Sequence, residues 1–188
     1  SPRWRYVDGS TATTPTTVAG SRLDVIRTTG SNRDVDTGAI HVSESAVGAR
    51  VASCSSVGGW SDQITLRGSG SVVEKCFTDL GQDMGFTIDG TDGRVTVRNC
   101  QAYRTGRTGF HLTGGPSDLY SCGAYDNGTL NDGSGDYGVS TTAACIGSTI
   151  QVRGSGNLDG LVAGAISATT PGGFDNPRRS RSQPSRWR

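Results

Sequence analysis

Aromatic side chains are scarce in this sequence, at 6% of 188 residues, and hydrophobic residues of every kind reach only 32%. So little bulky apolar volume argues against a thick globular core. It suits one modest domain of thin layers and many turns, for which the 29 glycines are the material. No apolar run is long enough to span a bilayer and no signal-peptide apolar region appears, so no membrane association is expected. The chain opens at Ser1 rather than at a methionine, and the expectation is a processed or partial piece of something longer. Lysine occurs once, at Lys75, among 18 basic residues, a bias that points to a GC-rich coding sequence more than to any chemistry. A formal charge of +1 gives no reason to expect a specific nucleic-acid partner. C-x-x-C and closely spaced Cys/His pairs are missing, so no zinc site is expected, and neither is any cofactor. A helical 3.6-residue apolar period is missing too.

What the chain does contain is one pattern written over and over. Gly85-Phe86-Thr87-Ile88 followed by Arg94-Val95-Thr96-Val97-Arg98-Asn99-Cys100-Gln101-Ala102-Tyr103 returns as Gly109-Phe110-His111-Leu112 followed by Leu119-Tyr120-Ser121-Cys122-Gly123-Ala124-Tyr125. Cys54, Cys76, Cys100 and Cys122 are spaced by 22, 24 and 22 residues, and each follows a branched apolar residue by three positions. A second column, Ile40, Ile64, Phe86, Phe110, Val139 and Leu161, is spaced by 24, 22, 24, 29 and 22. Mostly apolar residues recur two positions after each member, with mostly polar ones between, which is strand alternation. A unit this short cannot bury its own apolar residues and needs a stacked neighbour.

The expected fold is therefore all-β: a parallel β-helix of about five to six coils of 22–29 residues, with successive coils stacked at about 4.8 Å. Phe86, Ile88, Val95, Val97, Cys100 and Ala102 should point inward, and Gln101 and Tyr103 outward. Three segments are expected. Residues 1–37 form an N-terminal cap or incomplete first coil, 38–170 the β-helix, and 171–188 an Arg-rich extended tail. The four column cysteines read as reduced core filler, with Cys145 outside the column and Ser155 in the corresponding slot of the next coil.

Function would have to live on the outward columns. Phe77, Tyr103 and Tyr125 offer exposed rings that suit either sugar faces or subunit packing. The next turn carries Asp83, Arg104, Arg107, Asp126, Asp132 and Asp136, with Thr87 and His111 on the strand that follows. All of these are expected to converge on one groove. Carboxylates in pairs serve glycoside hydrolysis, and Asp126, Asp132, Asp136 and His111 are the candidates for a catalytic role. A solvated, charged turn is the alternative reading of the same residues.

The G-[FI]-x-[IVL] and V-x-V-R-N-C coils resemble the right-handed parallel β-helix of the pectate-lyase-like superfamily, over roughly residues 38–166. The calcium-binding Asp cluster, the D-P-H-[ED] site and the paired-Asp pattern of the superfamily's enzymes do not occur here. With its lead-in from Ser1 to Thr17, the chain resembles β-helical modules of bacteriophage tail spikes and fibres. That resemblance implies a virion protein, assembled in the host cytoplasm as a homotrimer. Such a module contacts host surface polysaccharide or acts as a rigid stalk. The Arg-rich tail, with Trp4 and Trp187 as further anchors, would then face other virion proteins. A carbohydrate-active hydrolase or lyase, and a non-catalytic intracellular scaffold or adhesin-like repeat, are the alternatives, and an extracellular location is the alternative to the virion.

Overall fold

The computed structural model describes residues 5–7, 17–19, 22–24, 40–42, 44, 46–59, 61–130 and 136–164, and for the first three of these segments the backbone alone. Asp132, Trp4, Trp187 and the segment 171–188 lie outside the described residues.

The chain is a parallel β-solenoid of about five turns, with almost no helix among the described residues. The strands come in threes: β1 (Arg5–Val7), β2 (Thr17–Ala19) and β3 (Arg22–Asp24), then β4 (Ile40–Val42), β5 (Arg50–Ala52) and β6 (Ser55–Val57). Next come β7 (Ile64–Leu66), β8 (Val72–Glu74) and β9 (Phe77–Asp79), and then β10 (Phe86–Asp89), β11 (Thr96–Arg98) and β12 (Gln101–Tyr103). After β13 (Phe110–Thr113) the second and third strands fuse into β14 (Asp118–Tyr125), and after β15 (Tyr137–Thr141) they fuse into β16 (Thr149–Ser155). The last described strand is β17 (Gly160–Ala163). First strands make a seven-stranded sheet in the order β1-β4-β7-β10-β13-β15-β17. The second and third strands make the other sheet, and every pairing is parallel.

β1, β2 and β3 pair with β4, β5 and β6, so part of the leading segment is a first coil in register. The residues that pair there, Tyr6 with His41 and Val18 with Val51, stand 35 and 33 positions apart. That longer interval hides them from a search at the 22-to-24 spacing.

Inside, like residues stack on like. Ile64, Phe86, Phe110 and Val139 are Cα partners in turn along the first sheet, and all are fully buried. The Phe86 and Phe110 rings lie 4.7 Å apart and nearly parallel, at 7°. Full burial of side chains of this size stabilises a fold by about 1.5–3 kcal/mol each. Val51, Val73, Val97, Leu119 and Ile150 make the equivalent inner column of the second strands.

Single left-handed residues turn the corners. Ser53, Lys75, Asn99 and Ser121, at φ of 54, 53, 53 and 52°, each precede a column cysteine. Every cysteine in the column donates its thiol to the carbonyl two residues earlier, from Cys54 to Ala52 at 3.3 Å through Cys122 to Tyr120 at 3.4 Å. The amides of Cys54 and Cys76 donate in turn to the sulfur of the next coil's cysteine, both at 3.4 Å. A small side chain able both to donate and to accept fits this slot.

Two register expectations need correcting. Cys122 faces Val152 in the next coil, whereas Ser155 faces Tyr125. The register shifts between Leu119 and Cys122 because three residues lead from one to the other, against two from Ile150 to Val152. The coil that follows therefore loses its left-handed corner residue and the need for a cysteine. Val139 likewise pairs with Val162 rather than Leu161, although Leu161 is the residue buried in the core.

Candidate functional site

From β6 onward, each third strand ends on a second left-handed corner. Leu80, Arg104 and Asp126 occupy it at φ of 56, 44 and 54°, and Gly58 and Gly156 hold the same place at 73 and 72°. Their amides form a ladder, with Leu80 donating to the Tyr103 carbonyl, Arg104 to Tyr125 and Asp126 to Ser155. Buried amides brace the chain just beyond. Gln63 donates to the carbonyls of Ser56, Gly58 and Asp79 at 3.1, 3.1 and 2.9 Å. Asn127 accepts from the Thr105 amide at 3.1 Å and hydroxyl at 2.8 Å, and donates to Asn157 Oδ1 at 2.8 Å. These groups fix the turns from which the polar side chains project.

The candidate residues divide into two clusters. On the outer face of the third strands, Tyr103 and Tyr125 stack at 5.1 Å and 17°, and Phe77 meets Tyr103 edge-on at 6.1 Å. Both tyrosines are partly exposed. The Tyr125 ring folds back over Gly123, where a Cβ would come within 2.6 Å of it, and the Tyr103 hydroxyl donates to Gln101 Oε1 at 2.6 Å. Burial, with Tyr125 and Asp79 nearby, pushes the Tyr103 phenol above its usual pKa. Arg104 joins this cluster as an ion-pair partner: its Nε donates to Asp79 Oδ1 at 2.8 Å and a terminal nitrogen to Asp79 Oδ2. That pair holds the Arg104 guanidinium above its ordinary pKa.

The second cluster lies where the turn meets the first sheet. The Thr87 hydroxyl donates to Asp62 Oδ2 at 2.6 Å, and the Met84 amide donates to Asp62 Oδ1 at 3.3 Å. Burial pushes the Asp62 carboxyl up to about 6; the charge of Asp83 adds to the rise, and the hydrogen bonds and Arg67 oppose it. Asp83 itself pairs with Arg107 at 3.4 Å. His111 follows Thr87 one coil on and shares a 2.8 Å hydrogen bond between its Nδ1 and Ser140 Oγ. Burial lowers the His111 pKa and Asp83 opposes that, so the site favours the neutral imidazole.

The sequence places these residues in one groove. Among the described residues, no hydrogen bond, ion pair or ring contact links the tyrosine cluster to the Asp62 cluster. The other carboxylate candidates separate as well. Asp126 is exposed at the corner beside Tyr125, whereas Asp136 is fully buried and its backbone amide donates to Asp159 Oδ2 at 2.8 Å. The polar residues His41, Thr65 and Thr87 on the outer side of the first sheet are also buried, since alternation sets the side a residue faces but not what covers it.

Asp62 is the residue that sequence reasoning missed. Its signal was faint: it sits two positions before inward Ile64, as Met84 sits before Phe86, so the column has no repeated acidic character. Among the described residues no group of three or more His, Cys, Asp or Glu side chains is placed to hold a metal ion.

No protein-family model, no curated protein and no solved structure matches this chain. What fold and surface define together is an all-β parallel solenoid carrying a run of aromatic rings on the outer face of its third strands.

Proposed function

We propose that this solenoid is a module of a virion appendage, a bacteriophage tail spike, tail fibre or head fibre, that contacts host surface polysaccharide. In this reading its coils are those of a right-handed, pectate-lyase-like β-helix, and three copies assemble side by side. The observation that carries the proposal is the stack of Tyr103 on Tyr125, partly exposed rings delivered to one column by successive coils, with the partly exposed Phe77 meeting Tyr103 edge-on from the coil before. Aromatic faces and edges pack against the apolar C–H faces of sugars, and coil-by-coil spacing suits a repeating polymer. The buried, unbridged thiols fit folding in a reducing cytoplasm before virion assembly. The test is retention on a panel of immobilised bacterial surface polysaccharides. Wild type should be retained on at least one of them and Tyr103→Ala/Tyr125→Ala on none; equal retention of both proteins would sink the reading.

A second reading, a polysaccharide hydrolase, is favoured by Asp62 beside Asp83. A carboxylic acid that titrates near pH 6 can protonate a leaving oxygen, while an ionised neighbour stabilises positive charge or activates water. Reducing-end release from the same panel, lost in Asp62→Asn, would establish it; no release from any member would remove it.

A further inference from the structure

The aromatic ladder stops at Tyr125. One face of that ring is covered by Tyr103. On the other side the next coil presents Ser155 as the Cα partner of Tyr125 and Arg153 as the partner of Gly123, over which the ring lies. A serine in place of a third tyrosine leaves room for one ring layer, since coils repeat at about 4.8 Å. Among the described residues no second aromatic ring meets Tyr125 from this side, and no hydrogen bond engages its hydroxyl.

Arg153 supplies an independent observation. Arg50 and Arg98 pair with Glu74, Arg67 with Glu44, Arg94 with Asp118, Arg104 with Asp79 and Arg107 with Asp83. Among the described arginine side chains, exposed Arg153 alone has no carboxylate. Its planar fork is the group best suited to a bidentate carboxylate or sulfate. At the corner directly after Tyr125, exposed Asp126 offers acceptors for hydroxyl groups and repels anions.

We propose that the open face of Tyr125, with Ser155 beneath it and Arg153 beside it, is a binding slot for one sugar ring bearing an anionic substituent. The ring's C–H face lies on Tyr125, its anionic group points to Arg153 and its hydroxyls to Asp126. This deepens the polysaccharide-contacting reading and rests on it: the slot selects acidic repeats from among surface polymers.

The experiment titrates the full chain with methyl glucuronide and methyl glucoside, following amide and arginine side-chain NMR shifts in wild type, Arg153→Gln and Ser155→Trp. Glucuronide should shift Tyr125, Arg153 and Ser155 signals in wild type and bind roughly tenfold more tightly than glucoside. Arg153→Gln should bring the two sugars level, and Ser155→Trp, whose indole fills the slot, should abolish both responses. Equal binding of the two sugars by wild type, an unaltered response in Ser155→Trp, or no response at these residues would each overturn the slot. Retention on polysaccharide that depends on Tyr103 and Tyr125 but survives Arg153→Gln and Ser155→Trp would refute the slot and leave the wider reading standing.

Discussion

Thr87 donates a 2.6 Å hydrogen bond to Asp62, a residue 25 positions earlier that the coil geometry places one layer away. The bond holds a largely buried carboxyl whose pKa is pushed up to about 6, chiefly by burial. Because the folded value exceeds the unfolded one of about 3.8, the native state prefers the protonated form. The stability this group contributes is fully present below pH 3.8 and lost as pH rises through about 6. Asp62→Asn removes the charge and leaves an amide that can bond the Thr87 hydroxyl. The variant should therefore be more stable than wild type at pH 8, by up to about 3 kcal/mol, and nearly equal to it at pH 4. Urea titrations at the two pH values test this; a variant that loses stability at pH 8 contradicts it.

The thiol column predicts inertness. The Cys76 thiol is pushed up to about 12, first by its contact with the Cys100 thiol, and burial pushes Cys122 up to about 12. All five cysteines are free and buried. At pH 8 the native protein should react with an aromatic disulfide reagent only at its rate of opening, and all five thiols should react at once in denaturant. Prompt labelling of Cys76 or Cys122 in the folded protein would contradict the buried column.

Phe110→Ala removes one member of the 4.7 Å phenylalanine stack from a site with no solvent contact. The expected loss is about 3–5 kcal/mol by denaturant titration, with Phe110→Leu costing clearly less. Equal effects from both changes would mean that the stack itself, rather than the filled volume, matters.

Asn127 offers a polar counterpart. Its side chain links Thr105, Ala102 and Asn157, and each of these is left short when it is truncated. Asn127→Ala should cost about 2–3 kcal/mol and loosen the turn that carries Asp126. Faster amide exchange confined to residues 103–107 and 125–130 is the accompanying signature.

Much of this architecture was legible because the inward columns are chemically uniform. Phe86 over Phe110, Val97 over Leu119 and Cys100 over Cys122 all repeat at the spacing of the coil. Legibility failed where spacing changed. β1–β3 lie 33–35 residues from their partners, and Val152 replaces cysteine once the corner residue is lost. The site was harder still, because outward positions need not repeat. Asp62 has Met84 above it, and the commitment of Arg104 to Asp79 depends on a contact 25 residues back that no local pattern announces. Burial of Asp136 follows from how the turn closes beside Gly128, where a Cβ would come within 2.4 Å of it.

The most direct test of the account is the solution mass of the chain by light scattering, wild type beside Tyr103→Ser/Tyr125→Ser. Both proteins should be trimers, because the tyrosine column faces ligand rather than a neighbouring copy. A monomeric wild type, or a trimer that falls apart in the double variant, would contradict it.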